Sequence, residues 1–337
     1  MPINRRKIFT MGGVALAAAA GVGGLAANAN AKTGPSGPLP ESAKFNLKSK
    51  SDRLFWKKPL HNGTIMQCFA FDNTNEQLYV MQRTDGTATT DGHLTITRLT
   101  FTGEITGHMY LKAFGHGIAF GVQPNGSDVT LWTEADSQSS NGSSARARVV
   151  CRFDWKDGAT VTKDDVELYE PIKDMYSASC SLDLEHNTIA VRCTVPDDDH
   201  MTTSLYDLDE FADKKFDNVL ARVRPGIINT PGVSPQGYQQ YGQHLYQIQG
   251  NAYDAPCDQE NKDGSLEGNT KVSRINFNDE SDNESHLTKA GYSLSYREPE
   301  GIGLVNVDGK PRLAMGFASS CPPKRLCNIY YKHDPAT

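Results

Sequence analysis

The chain has 337 residues, with 34 basic and 40 acidic side chains and 38% hydrophobic ones. Arg5, Arg6 and Lys7 are the only charges in the first thirty-one residues, so the remainder carries 31 basic against 40 acidic groups, a net charge of −9. A field of that sign excludes a general nucleic-acid binder, which needs a basic face, and any polyanion would need a local basic patch or a bridging cation.

Residues 1–31 read as a signal peptide. A basic start runs into the small apolar stretch Val14 to Ala27 and closes on Ala29-Asn30-Ala31, a small-residue cleavage pattern. Arg5-Arg6 followed by Lys7-Ile8-Phe9 resembles the twin-arginine motif, which predicts a secreted, extracellular product exported by that route of a bacterium and cut after Ala31. A membrane anchor is the competing reading, but a span needs about 20 strongly apolar residues. Residues 32–44 are rich in Pro and Gly and are expected to be a flexible leader. The folded domain is placed at 45–334.

Long helical periodicity is absent there except for a short helix expected at Leu208 to Phe216. Strand, turn, strand recurs instead, with Gly, Asn or Asp in the turns. Five segments share one design, an apolar strand, a polar turn and a second apolar strand: those beginning at Phe69, Ile118, Ser181, Gly237 and Gly301. They start roughly 50 to 65 residues apart, with further strands such as His93 to Phe101 and Arg148 to Trp155 between them. Four strands per unit is the blade of a β-propeller, so the chain is read as all-β with a single propeller, five blades favoured and six or seven open. A β-sandwich or β-helix fits the repeat less well.

Seven cysteines in an exported chain are compatible with disulfides. Cys180 and Cys193 lie symmetrically about His186-Asn187, so a two-residue hairpin turn there would make them cross-strand partners. Cys321 and Cys327 bracket a turn-like insert and are expected to staple it. Cys68, Cys151 and Cys257 are left unpaired by this reasoning, and no Cys-x-x-Cys or Cys/His spacing supports a metal site.

Met66-Gln-Cys-Phe-Ala-Phe-Asp, the run from Gly107 to Val122, Leu131-Trp-Thr-Glu, Gly237-Tyr, Tyr241-Gly, Leu245-Tyr and Tyr296-Arg-Glu-Pro-Glu-Gly-Ile together resemble a known group. It comprises the twin-arginine-exported actinobacterial proteins named as teichoic acid biosynthesis protein C or phage baseplate proteins. These belong to a propeller group that takes in phage receptor-binding proteins and, more distantly, helveticin J. The resemblance runs from about Gln67 to Tyr331 and implies a propeller and a cell-envelope or glycan context, without an established reaction. Pro256 to Gly268 and Asn278 to Ser285 look like departures from it.

The candidate site residues follow from chemistry. Gly115-His116-Gly117 strips steric cover from an imidazole that can serve as base or as partner of a sugar hydroxyl; a buried structural histidine is the plain alternative. Arg297-Glu298-Pro299-Glu300 sets two carboxylates and a guanidinium before an apolar strand, the groups a glycosidase uses as acid and nucleophile, or else a neutralised turn. Trp132 beside Glu134 suits a sugar-stacking cleft, with inter-blade core the alternative. Tyr238 and Tyr241 with Gln240 suit neutral hydroxyls. The acidic runs Asp197 to His200 and Asn278 to Ser285 leave calcium open as an alternative but have no calcium-loop pattern, so solvated loops and no cofactor are expected. The expected function is recognition of a polysaccharide or cell-wall glycan on an axial face holding His116, Trp132, Glu134, Tyr241, Arg297 and Glu298. The rivals are a polysaccharide lyase or glycoside hydrolase in the same pocket, and a bacteriocin-like or adhesive scaffold.

Overall fold

The computed structural model describes residues 37–139, 142–196 and 200–337; residues 1–31, read above as a signal peptide, and Asp197 to Asp199 of the acidic run lie outside them. The chain opens with β1 (Ser51–Lys58). Blade I is β2 (Met66–Asp72), β3 (Gln77–Arg83), β4 (Leu94–Thr100) and β5 (Ile105–Leu111). Blade II is β6 (Gly121–Asn125), β7 (Asp128–Gln138) and β8 (Arg146–Asp154); the next strand, β9 (Thr160–Val161), adds in parallel to β5, and β10 (Glu167–Tyr169) completes blade II. Blade III is β11 (Tyr176–Asp183), β12 (Thr188–Thr194), β13 (Met201–Asp207) and β14 (Ala221–Val223). Blade IV is β15 (Pro235–Tyr241), β16 (His244–Gln249), β17 (Lys271–Asn276) and β18 (Asn283–Leu287). Blade V is β19 (Glu298–Val307), β20 (Lys310–Ser319) and β21 (Leu326–Lys332), with β1 as its outer strand.

This is an all-β, five-bladed propeller, and each repeated segment of the sequence is the inner hairpin of one blade. β1 pairs with β21 from Ser51 opposite Lys332 to Lys58 opposite Cys327, so the first strand closes the last blade and ties the ring with hydrogen bonds. The blades pack face to face through apolar side chains. Trp132, Tyr169 and Phe211 meet Met175 and Cys180 between blades II and III, and Phe45, Tyr246, Leu313 and Phe317 fill the space between IV and V. Each such large apolar side chain contributes about 1.5–3 kcal/mol by leaving water.

The five inner strands, β2, β6, β11, β15 and β19, all run the same way. The face where they begin is called upper here and the face where they end lower. Inner hairpins turn at the lower face in two to four residues, for example 184–187 and 242–243, whereas second and third strands are joined at the upper face by longer segments, among them 84–93 and 250–270. The upper face therefore carries the adaptable surface.

Four sequence expectations change. The leader is tied down from Leu39, which exchanges hydrogen bonds with Asn278, and Lys44 exchanges backbone hydrogen bonds with Thr337. The helix is one turn, Leu208–Ala212, capped by Asp207, because Asp213 leaves helical geometry. Cys180 and Cys193 are not bridged. Asp183 pairs with Thr188 around a four-residue turn in which the Asp183 carboxylate accepts the N–H groups of Glu185 and His186, so Cys180 faces Val191 and Cys193 faces Thr202. Cys321 does not bridge to Cys327 but to Cys257, with Cα atoms 5.1 Å apart, and Cys68, Cys151, Cys180, Cys193 and Cys327 are buried free thiols. Among the described residues no helix is long and apolar enough to cross a membrane.

Candidate functional site

The upper ends of the inner strands are irregular in a repeated way. The register slips by one residue between Met66 and Cys68, Tyr176 and Ser179, Pro235 and Gly237, and Pro299 and Ile302. Each slip is a β-bulge, which bends a strand and re-aims the extra side chain. Blade II has instead the irregular run 115–120, with Gly115 and Gly117 at positive φ. Gln67, Ser177 and Gln236 lie within these slips, His116 in the irregular run, and Glu298 just before the last slip, opposite Ala318; all five are polar and half-buried at the upper strand ends.

Below these residues the axis is shut by backbone. A Cβ placed on Gly237 would lie 2.9 Å from Gly301 Cα and 3.4 Å from the Ile118 carbonyl oxygen, and one on Gly301 would lie 2.8 Å from Cys68 Cα. Blades I, II, IV and V thus touch at one level, and glycine is required there because any side chain would wedge them apart. The segments 115–118 and 298–301, remote in sequence, both enter the axis at this level.

The side chains of those segments do different things. Glu134 accepts hydrogen bonds from the successive backbone N–H groups of His116, Gly117 (2.9 Å) and Ile118 (3.4 Å), so its carboxylate anchors the loop and is not offered to a ligand. Burial raises the Glu134 pKa against the opposing pull of those donors. Burial, then the positive charges of Arg146 and Arg83, lower that of His116 to about 4. The imidazole is neutral at pH 7 and available as a hydrogen-bonding group. Glu298 bonds to Tyr296 and lies near Arg325, which stacks on the Tyr296 ring at 3.6 Å. Its Oε2 atom is buried without a partner among the described residues, and burial raises its pKa. Glu300 is buried on the bulge, its pKa driven well up by burial and then by the neighbouring Glu298.

The remaining predicted residues do not join the mouth. Arg297 is 1% exposed, donates to the carbonyls of Ala290 and Thr288 and to Thr270 Oγ1, and packs against Phe317, so it braces the seam between blades IV and V. Trp132 is fully buried, with its indole N–H bonded to Gln123 and its ring against Tyr169. Tyr238 lies under Arg192, 3.8 Å from ring centre to guanidinium, and bonds Ser179. Gln240 is buried among Thr188, Asp183 and Gly242. Tyr241 sits at the other end of the axis, donating to Glu185, in the wall of a lower-face cavity of about 330 Å3 that also touches Phe71, Phe120, Leu182 and Asn306. The polar residues Gln67, Ser177 and Gln236 went unread in the sequence, although Gln67 and Gln236 stand within two residues of the start of a repeat.

Among the described residues no group of three or more His, Cys, Asp or Glu side chains is arranged to hold a metal ion. Comparison with known proteins agrees with the architecture. A protein of Bacillus subtilis (strain 168), provisionally named major teichoic acid biosynthesis protein C, is 25% identical over 312 residues, covering 86% of this chain and 64% of that relative, so the chain spans under two thirds of its length. Among solved structures the tail fiber of Staphylococcus aureus phage P68 superposes with a TM-score of 0.63 at 14% identity, over 86% of this chain and 54% of the fiber. An α-L-arabinofuranosidase from Lactobacillus brevis aligns only at a TM-score of 0.43 and 8% identity, over 79% of this chain and 91% of the enzyme, which carries no argument about activity. The family described as the phage 5-bladed beta propeller receptor binding platform domain matches residues 65–331, and the chain belongs to that family.

Proposed function

We propose that this protein is an exported recognition propeller that holds a glycan of the cell envelope at its upper axial mouth. The observation that carries the reading is the repeated irregularity of the upper inner-strand ends, a bulge in four blades and the glycine-flanked run in blade II, where Gln67, His116, Ser177, Gln236 and Glu298 stand polar and half-buried at the same end of each blade. Amide, neutral imidazole, hydroxyl and a raised-pKa carboxyl offer both donors and acceptors, which suits sugar hydroxyls better than a fixed charge. The unpartnered Oε2 of Glu298 is a buried acceptor that a ligand hydroxyl would satisfy. Membership of a receptor-binding family and likeness to a protein named for teichoic acid biosynthesis support an envelope ligand, and the signal sequence supports secretion by the twin-arginine route.

One observation favours a second reading, hydrolysis: Glu298 and Glu300 are neighbouring carboxyls with raised pKa, as a general acid requires. A lyase, which would need a base such as His116 or Tyr241 and a cation such as Arg297 to neutralise a uronate, is less well served, since Arg297 and Tyr241 are committed away from the mouth. The test is a panel of wall-derived and extracellular oligosaccharides, measured for binding and for release of reducing ends. The recognition reading expects saturable binding with no release. Reducing ends that disappear in Glu298→Gln would establish the hydrolase instead, and no binding to any glycan would defeat both.

A further inference from the structure

The cavity of about 330 Å3 at the lower end of the axis is cut off from the mouth by the level at which the glycines meet. Its wall takes an apolar side chain from every blade: Phe71 at the end of β2, Val122 of β6 with Phe120 just before that strand, Leu182 near the end of β11, Tyr241 at the end of β15 and Leu304 of β19. Phe71, Phe120, Leu182 and Tyr241 are buried, whereas Leu184, Glu185 and Asn306, at the rim, are exposed. A cavity of this volume falls in the range of small-molecule sites.

The polar groups of the wall decide what such a molecule would be. Among the described residues no lysine or arginine lines the cavity, so nothing there would hold an anion. Asp183 is already engaged: it accepts the backbone N–H groups of Glu185, His186 and Gly242 and pairs with the His186 ring at 2.7 Å. The amide nitrogen of Gln239 donates to the carbonyls of Leu182 and Gln240, and that of Asn73 to the Leu304 carbonyl, which leaves few donors for a sugar. Glu185 differs. One of its carboxylate oxygens accepts from the Tyr241 hydroxyl at 3.2 Å, while the other has no hydrogen bond and no ion pair among the described residues. Burial, and then the Glu185 charge, raise the Tyr241 pKa, so the phenol keeps its proton and remains a donor. The result is an aromatic and aliphatic well with one uncompensated carboxylate at its lip.

We propose that this cavity binds a small organic cation, an ammonium carrying apolar substituents, with Glu185 as its counter-charge and Phe71, Phe120 and Tyr241 as its aromatic wall. Aromatic rings attract cations, more strongly where water is excluded, and the aliphatic wall takes the substituents out of water. A hydrated metal ion would leave that wall wet, and a neutral apolar molecule would leave the carboxylate unused. The site lies at the opposite end of the axis from the glycan reading and stands without it.

The test is calorimetric titration of the whole protein with choline, beside neohexyl alcohol, which has the same shape with carbon in place of the charged nitrogen. Choline is expected to bind saturably, about tenfold or more tightly than the alcohol, and to weaken as salt rises. Glu185→Gln removes the counter-charge and Asn306→Lys sets a like charge at the rim, and each should lower choline affinity about tenfold. Both residues are exposed, so the melting temperature should hold in each variant. Equal binding of the alcohol would overturn the proposal, as would choline affinity unchanged in both variants or an absence of saturable binding. Gln236→Ala with Glu298→Gln should leave choline binding intact, which separates failure of the cavity from failure of the mouth.

Discussion

Glu134 was selected in the sequence as a ligand contact because it follows Trp132, yet its carboxylate holds three consecutive N–H groups of the 116–118 backbone. Glu134→Ala should therefore cost about 1–3 kcal/mol of stability as buried donors go unpaired, and should weaken glycan binding only through the loosened loop. Glu300 makes a prediction of the opposite sign. Its pKa in the folded protein is raised above the ordinary 4.5, so from about 4.5 upward the folded state holds a proton that the unfolded chain has released, and stability falls as pH rises through that window. Glu300→Gln should remove this component and be at least as stable at pH 7, by chemical denaturation across pH; a variant that is less stable and keeps the slope would contradict the buried neutral carboxyl. At this scale the sequence was legible for identity and poor for role. The glycines around His116 did mark an irregular approach to the axis, but nothing local told that Arg297 would turn into the seam, since its partners Thr270, Thr288 and Ala290 come from another blade.

Hairpins were the most readable elements, because period-2 alternation and turn residues are local. All five inner hairpins stand where the repeats placed them. Register was less readable: Asp183 stabilises a four-residue turn where symmetry suggested two, and that difference moved Cys180 from Cys193 to Val191. Bulges at the strand starts were invisible for the same reason, as the extra residue is defined only by the partner strand. The bridge that does form joins the 250–270 loop of blade IV to the loop after β20 in blade V, closing 64 positions of chain. Cys257→Ser with Cys321→Ser should lower stability by about 2–4 kcal/mol, on the entropic account of cross-links, and wild type in reductant should match the variant. A wild type unaffected by reductant would show that the loops hold together without the bridge.

At the level of the whole molecule, ring closure brings together groups that are hundreds of residues apart. Gln67, His116, Gln236 and Glu298 come to one face of the propeller because each stands at the same end of an inner strand, and β1 joining blade V keeps that ring shut. The five-fold repeat made this architecture legible, but not which end of the axis each polar residue would occupy, so Tyr241 was wrongly grouped with His116. The measurement that bears most directly on recognition at the upper mouth is the binding isotherm of a wall-derived oligosaccharide on wild type and on Gln236→Ala with Glu298→Gln. Loss of binding with an unchanged melting temperature is the result expected. Equal affinity in the two proteins would contradict the assignment of the mouth as the glycan site.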